Sequence, residues 1–309
     1  MSARPKIFIH VNDKQMFAAK IAKYTIEKSS KHADKFDVEF IHLNDHPHLK
    51  NQEGKEYLRK GMKDRWKNDD LQSFTPLRFL PPQIMNYEGR AIVIDPDIFG
   101  ISDIYQLLTR DMGGKAILCR KIDDERFEKG YYFGTSVMLL DCAKLKHWKW
   151  EEMITKLFAK KYDYRDWMSL FLEDENTIGE IEEEWNSYDK LTPETKLLHN
   201  TGRKTQPWKT GLPVDFQNAE KFYKKPTLLQ RIFGKPQTPQ NLNKLPPVYK
   251  KHPDPKQIEF FFRNLKECLD KGIVSKNELQ EEMRKGNIRQ DAFAVMQQYE
   301  NIVAHKEAV

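Results

Sequence analysis

The chain has 309 residues, 39% of them hydrophobic and 12% aromatic, a composition that excludes an intrinsically disordered protein. Its three cysteines are widely spaced and form no CxxC pair, which argues against a disulfide framework and a zinc site. The net charge is +6, yet residues 203–256 hold twelve basic and three acidic residues, so the rest of the chain is slightly acidic. The start of the sequence lacks the apolar stretch of a secretory signal, and no run approaches the ~20 apolar residues of a membrane span. We therefore expect a folded, cytoplasmic protein with one basic segment.

Strands and helices alternate along the first part of the chain. Four short segments rich in β-branched and aromatic residues predict strands: Lys6–Val11, Phe36–Leu43, Ala91–Ile94 and Tyr131–Asp141. Apolar residues at helical spacing predict helices within residues 12–30 and 147–162. Strands that alternate with helices, some of them apolar throughout, are typical of a mostly parallel sheet covered on both faces. The sequence therefore predicts an α/β fold.

The last third of the chain has a different character. Seven of the sixteen prolines lie in residues 226–255, a density that breaks regular structure and predicts a linker. Beyond it, Asp254 can cap a helix with Pro255 at its first position, and Ser275 begins a capping box. We expect three parts: an α/β domain at 1–218, a basic, proline-rich linker at 219–253 and a small helical appendage at 254–309.

The segment AIVIDPDIFG ends an apolar strand with two aspartates. Asp95 and Asp97 are two positions apart, so in extended backbone their carboxylates point to the same side. Pro96 cannot join a central ladder, which places the pair at the carboxyl end of the strand, where open α/β sheets bind ligands. Paired carboxylates suit Mg²⁺ or Mn²⁺, and the alternative is a simple Asp-Pro turn.

A second element, KLLHNTGRKTQPWKTG at 196–211, strengthens the metal interpretation. His199 follows an apolar run and can complete a metal sphere begun by carboxylates, while Gly202 permits close approach of the backbone to a ligand. The cations that could neutralise a diphosphate are Arg203, Lys204 and Lys209. A lone histidine in this position is more often structural, but its neighbours favour the ligand role.

Together these segments resemble, in order and spacing, the family 8 glycosyltransferases, the group that includes glycogenin and the bacterial lipopolysaccharide galactosyltransferases. The resemblance covers residues 6–209. The matched segments are VND at Val11–Asp13, TPLRF with Arg78, DPD at Asp95–Asp97, YFGTSVMLLD at 132–141, EWN at Glu184–Asn186 and HNTGRKTQPW at 199–208. The family implies a GT-A fold, a nucleotide-sugar donor such as a UDP-sugar, Mn²⁺ (or Mg²⁺) as cofactor, and retention of anomeric configuration.

The resemblance also assigns roles to residues. Asp95, Asp97 and His199 would hold the metal. The donor would be bound by Val11, Asn12, Asp13, Arg78, Gly202, Lys204 and Lys209. Asp166 and Trp167 stand at the family's "DQ" and are the candidate catalytic residues on the sugar side, although Asp166 could equally be a surface acid beside Arg165.

Departures from the family pattern occur near the reacting face. Gly134 replaces an Asn, Ser136 replaces a Gly, and Gln206 takes the place of a lysine before Pro207. Trp167 replaces a polar amide, so retention of the anomeric configuration does not follow from the resemblance at this position. A protein that binds a nucleotide sugar without turnover is therefore the alternative.

The acceptor stays open among a glycan, a lipid-linked molecule and a protein. Residues 224–235, KKPTLLQRIFGK, combine cations with an apolar face that could rest on an anionic membrane as a peripheral contact, or could pack the first domain against the tail. Nucleic-acid binding through the basic segment is the non-enzymatic alternative, but the sequence shows no helix-turn-helix, RRM-like or zinc-finger pattern to accompany it.

Overall fold

The structure is a computed structural model that describes residues 4–216 and 248–307. The described chain forms two compact units: the first runs up to Thr201 and includes Glu267–Val274, and the second comprises Gly202–Lys266 and the chain from Ser275 onward. Most of the predicted linker at 219–253 lies outside the described residues, so the division into three parts stays a prediction.

A six-stranded sheet forms the centre of the first unit, and its order is β2-β1-β5-β8-β7-β9. The strands are β1 Lys6–Val11, β2 Asp37–His42, β3 Glu56–Arg59, β4 Met62–Arg65, β5 Arg90–Ile94, β6 Ile98–Gly100, β7 Ile117–Asp123, β8 Tyr131–Asp141, β9 Ile178–Glu180, β10 Ser187–Tyr188 and β11 Leu197–His199. β1 is parallel to β2 and β5, and β7 is parallel to β9, whereas β8 is antiparallel to both of its neighbours. The predicted α/β fold with a mostly parallel sheet is confirmed.

The central strands are apolar throughout because both faces of the sheet are covered. In β5, residues 91–94 have no exposed surface, and the same holds for residues 137–140 of the adjacent β8. These strands therefore lack the alternation of apolar and polar residues that a half-solvated sheet shows. Their apolar side chains are the main part of the core, since burial of one large aliphatic side chain contributes ~1.5–3 kcal/mol.

The described helices are α1 Met16–Ser29, α2 Pro47–Lys50, α3 Pro81–Ile84, α4 Tyr105–Leu108, α5 Trp150–Phe158, α6 Tyr164–Met168, α7 Pro255–Asp270, α8 Lys276–Lys285 and α9 Ala292–Glu307. α1 packs so closely on β6 that a Cβ at Gly100 would lie 2.7 Å from the Ile26 Cα. α5 is shorter than predicted: it ends before Lys160, whose positive φ of 59° ends the helical backbone. Among the described residues, no helix has both the length and the apolar character needed to cross a membrane.

The helices of the second unit form largely as their capping residues predict. Asp254 precedes Pro255 at the start of α7, and its carboxylate accepts from the Lys256 amide at 2.9 Å. The Ser275 hydroxyl accepts from the Glu278 amide at 3.0 Å, which is one half of the predicted capping box at the start of α8. α7 buries one apolar face, on which the Phe261 ring stacks against another aromatic residue of this unit.

Candidate metal and donor site

The carboxyl ends of three parallel strands meet at one edge of the sheet. β2, β1 and β5 end there at His42, Val11 and Ile94, and Asp95 follows directly. The Asp95 amide still donates to the Ser136 carbonyl of β8 at 3.1 Å, and regular pairing stops after it. The aspartates therefore lie where the sequence predicts them, at the ligand-binding edge of an α/β sheet.

A second, three-stranded sheet brings His199 to the aspartates. β6 follows the aspartate pair and runs antiparallel to β11, so that Ile98 pairs with His199. The backbone of Asp97 is fixed by the Asn200 amide, which donates to its carbonyl at 3.1 Å. His199 Nε2 lies 3.3 Å from Asp97 Oδ1. Asp95, Asp97 and His199 each offer one ligand atom, and these three atoms lie within 4.8 Å of one another.

Asp95 is the centre of a buried hydrogen-bond network. Arg78 donates to both of its oxygens, from Nε to Oδ1 at 3.0 Å and from Nη2 to Oδ2 at 2.5 Å. His10 Nε2 lies 2.6 Å from the same Oδ1 and donates to it. Arg78 Nη1 donates to Thr135 Oγ1 at 2.8 Å, and Thr135 donates in turn to the Met168 carbonyl at 2.8 Å. Asp95 and Arg78 are only 6% and 8% exposed, so the ion pair is held away from water.

The charges of this network follow from burial and pairing. Burial alone would raise the pKa of the Asp95 carboxyl, but the Arg78 charge and the His10 hydrogen bond hold that pKa far below its usual range. Burial lowers the pKa of the His10 imidazole, against the opposite influence of the Asp95 hydrogen bond. Near neutral pH, Asp95 is therefore an anion and His10 is neutral. The carboxylate form that a metal requires is already present.

His199 is supported on its far side by an amide. Its Nδ1 lies 2.8 Å from Asn186 Oδ1, and Asn186 Nδ2 donates to Ser136 Oγ at 3.0 Å. Asn186 is fully buried. The Tyr188 ring packs edge-on against the imidazole at 5.2 Å, which restricts its orientation further.

The segment at the end of β1 has a structural and an exposed part. Val11 is buried in the sheet. Asn12 is also buried, and its side-chain amide nitrogen Nδ2 donates to the Asp70 carbonyl at 3.0 Å and to the Ser73 hydroxyl at 2.9 Å. Asp13 is exposed, and its Oδ1 accepts from the Asn44 amide at 2.9 Å. Asn12 therefore shapes the loop, while Asp13 faces solvent at the same sheet edge.

Of the two predicted catalytic residues, Asp166 is exposed and Trp167 is buried. The Trp167 ring packs 4.7 Å from Phe79 and 5.7 Å from Tyr162 in the hydrophobic core. Partial burial and the nearby Asp163 carboxylate raise the pKa of Asp166. The exposed Asp166 is therefore accessible to a ligand, whereas Trp167 anchors α6 in the core.

The predicted donor-binding residues after His199 belong to the second unit. The Gly202 carbonyl accepts a hydrogen bond from the Thr205 backbone amide at 2.7 Å. The Lys204 carbonyl accepts one from the Lys250 backbone amide at 2.7 Å, and the Lys204 residue is exposed. Lys209 has no exposed surface, and its Nζ lies 2.7 Å from Asp215 Oδ2. Lys204 thus presents its charge to solvent, whereas Lys209 is part of an internal ion pair.

Three residues of the site escaped the sequence prediction as functional residues: His10, Thr135 and Asn186. A histidine within the otherwise apolar first strand is a signal for His10, because a buried imidazole needs a polar partner. Thr135 and Asn186 lie within matched segments, but nothing in their spacing shows that one binds Arg78 and the other His199.

The residues fit a hard divalent cation. Two carboxylates and one imidazole are suitable ligands for Mn²⁺, and carboxylates suit Mg²⁺. Asp95 is ionised, and its Oδ2 accepts one hydrogen bond among those described, which leaves a lone pair for a cation. Asp97 is partly exposed, which provides access from solvent.

No protein-family model matches the chain, and neither does any curated protein. Solved structures that it resembles include glycosyltransferases. The bifunctional glycosyltransferase WbbM is 15% identical with a TM-score of 0.47 over 68% of this chain, which spans 47% of the WbbM chain. The galactosyltransferase LgtC, in a complex with donor and acceptor sugar analogs, is 13% identical with a TM-score of 0.44, over 73% of this chain and 99% of that one. The glycosyltransferase GlyE of Streptococcus pneumoniae is 12% identical with a TM-score of 0.48, over 89% of this chain and 66% of the GlyE chain.

Proposed function

We propose that this chain is a metal-dependent glycosyltransferase of the family 8 type, which moves a hexose from a nucleotide-sugar donor, a UDP-sugar, to an acceptor. The observation that carries the proposal is the cluster of Asp95, Asp97 and His199 at the carboxyl edge of the sheet, with ligand atoms within 4.8 Å of one another. This arrangement can link the protein to a diphosphate through a shared cation. The motif order of the sequence supports the same function.

In this proposal the cluster holds Mn²⁺ or Mg²⁺. When bound, the ion would neutralise the charge that develops on the departing nucleoside diphosphate. Asp95 and Asp97 supply carboxylate oxygens and His199 supplies an imidazole nitrogen. Arg78 and His10 keep Asp95 ionised and fix its orientation through the three hydrogen bonds described above.

The remaining donor contacts are proposals of the same kind. Val11, Asn12 and Asp13 would lie against the nucleotide base, because they end the strand next to β5. By the motif order, Gly202, Lys204 and Lys209 would contact the diphosphate. Lys204 and its neighbour Arg203 are the favoured cations because both are exposed, whereas Lys209 would first have to leave its buried ion pair with Asp215. We place Asp166 on the sugar side, where an exposed carboxylate could orient a hydroxyl or stabilise positive charge on the sugar ring.

The acceptor in this proposal is a glycan, a lipid-linked molecule or a protein, and the location is cytoplasmic. Peripheral membrane contact would use residues 224–235, which lie outside the described residues.

A paired-variant experiment tests the proposal. Asp95→Ala with Asp97→Ala should abolish Mn²⁺-dependent turnover of a UDP-sugar while circular dichroism shows an intact fold. A matched double variant, Asp34→Ala with Glu88→Ala, removes two exposed acids near the amino ends of β2 and β5 and should retain turnover. Unchanged turnover in the first variant would remove the proposed site.

Binding of a nucleotide sugar without turnover is the second candidate. The burial of Trp167 favours it, since an indole in the core cannot replace a polar amide at the reacting face. Slow hydrolysis of the donor without acceptor, lost in the Asp95 and Asp97 double variant, would argue for the transferase. Binding without any hydrolysis or transfer over a panel of donors and acceptors would favour the second candidate.

A further inference from the structure

The tautomer of His199 decides whether this residue can bind a cation. A neutral imidazole carries its hydrogen on one ring nitrogen and a lone pair on the other, and only the nitrogen with the lone pair is a metal ligand. Nε2 is the nitrogen that faces Asp97, at 3.3 Å. A metal role for Nε2 therefore requires the hydrogen to be on Nδ1.

The partner of Nδ1 is an acceptor. Asn186 Oδ1 lies 2.8 Å from His199 Nδ1, a distance that requires a hydrogen between the two atoms. Because Asn186 is fully buried, solvent cannot serve as a replacement partner. The carbonyl oxygen of this amide therefore favours the Nδ1–H tautomer, provided that the amide keeps this orientation.

The Ser136 hydroxyl is the second partner of the amide. Asn186 Nδ2 donates to Ser136 Oγ at 3.0 Å, while Asn186 Oδ1 faces the imidazole. In this orientation both ends of the buried amide have a partner. A reversed amide would instead donate to Nδ1 and place the hydrogen of a neutral imidazole on Nε2, so the tautomer of His199 reports the orientation of Asn186 directly.

The orientation of the Asn186 amide has a consequence at the metal cluster. With the hydrogen on Nδ1, the lone pair of His199 Nε2 and the Asp97 carboxylate oxygen face each other at 3.3 Å. Two acceptors at that distance repel unless a cation lies between them. We propose that Asn186 is a positioning residue, held by Ser136, that selects the Nδ1–H tautomer of His199 and so prepares Nε2 for a divalent cation.

This inference rests on the proposed metal function of the cluster, but it concerns a residue to which neither the motifs nor the comparisons assign a role. Outer-shell partners of metal-bound histidines typically change metal affinity ~10–100-fold when they are removed. Asn186→Ala removes the acceptor at Nδ1, and the imidazole hydrogen can then move to Nε2 and bond to Asp97. We expect Mn²⁺ affinity to fall by that factor, and Asn186→Asp to restore it, since a carboxylate also accepts from Nδ1–H.

The first measurement needs neither metal nor substrate. Two-bond ¹H–¹⁵N correlation spectra of the metal-free protein, recorded where the imidazole is neutral and assigned with His199→Gln, identify the protonated nitrogen. We expect Nδ1–H in the wild type and in Asn186→Asp, and Nε2–H in Asn186→Ala. Nε2–H in the wild type, or no change of tautomer in Asn186→Ala, would overturn the inference.

The second measurement is Mn²⁺ titration by calorimetry. The matched control is Asn264→Ala, which removes another buried amide, one that donates to the Phe260 carbonyl at 2.8 Å, and it should leave Mn²⁺ affinity unchanged. Equal affinity in wild type and Asn186→Ala would also overturn the inference. Wild-type protein with the expected tautomer and Mn²⁺ affinity, but without UDP-sugar binding or turnover, would refute the proposed function and leave the role of Asn186 intact.

Discussion

Replacement of Arg78 by Met should destabilise the metal-free protein strongly and make Mn²⁺ bind more tightly. The guanidinium makes two hydrogen bonds to Asp95 and one to Thr135, and both charged residues are nearly inaccessible to water. Removing it leaves a buried carboxylate whose remaining described partner is the neutral His10. The same unpaired charge becomes a better ligand, because a divalent cation can then replace the missing positive charge.

The magnitude follows from the burial of the pair. Breaking a buried ion pair by removing one partner typically costs ~3–5 kcal/mol, because the other charge stays buried without compensation. A domain of ordinary stability, ~5–15 kcal/mol, survives this loss, so the variant should be folded. Mn²⁺ at one hundred times its dissociation constant contributes ~2.7 kcal/mol to the native state, and tighter binding in the variant contributes more.

Urea unfolding with EDTA and again with Mn²⁺ measures both effects. We expect a deficit of ~3–5 kcal/mol for Arg78→Met in EDTA and a clearly smaller deficit with Mn²⁺. The matched control is Arg284→Met, which breaks a pair with Glu281 that is exposed on both sides and also has two hydrogen bonds, at 2.8 and 2.7 Å, and it should change little in either condition. A deficit below ~1 kcal/mol in EDTA, or an equal deficit with and without Mn²⁺, would refute the reasoning.

Three further variants test the surroundings of the site. Gly100→Ala, in the strand that pairs with His199, should lower the unfolding free energy by ~1–3 kcal/mol, because its Cβ would lie 2.7 Å from the Ile26 Cα, a backbone atom that cannot move aside alone; an unchanged urea midpoint would contradict this. His10→Gln should flatten the loss of stability below pH 6.5. In the wild type, burial lowers the pKa of His10, so the native protein keeps the imidazole neutral while the unfolded chain takes up a proton. Unfolding is therefore favoured by ~1.4 kcal/mol per pH unit between pH 6.5 and the folded pKa, a contribution that the variant lacks. A slope equal to that of the wild type would count against the neutral imidazole. Asp163→Ala should speed hydrogen exchange at the backbone amides of Lys60 and Gly61 in the β3–β4 turn, because these amides donate to the Asp163 carboxylate at 3.0 and 2.8 Å. Unaltered exchange at these two amides would show that the contact does not protect the turn.

Much of the fold was predictable because its determinants are local. The bounds of β1 and β8 agree with the predicted strands, since apolar β-formers begin and end at those residues. The strand-end position of Asp95 and Asp97 was predictable too, because Pro96 stops the ladder. The predicted metal ligands do come together, through the antiparallel pairing of β6 with β11.

The parts that could not be predicted depend on tertiary packing. Trp167 lies in the core because the short helix α6 buries Tyr164 and Trp167, three positions apart, on one face. Lys209 appeared to be a phosphate cation by its place in the motif, but its burial against Asp215 is visible only in the structure. The contact of Asn186 with His199 depends on the pairing of β10 with β11, which motif spacing does not reveal.

The central claim is that Asp95, Asp97 and His199 bind a divalent cation that links the protein to a nucleoside diphosphate. Calorimetric titration of the wild-type protein with UDP, in the presence and absence of Mn²⁺, tests it most directly. The account predicts that UDP binds with measurably higher affinity when Mn²⁺ is present. Equal affinity in both conditions, or no binding in either, would contradict it.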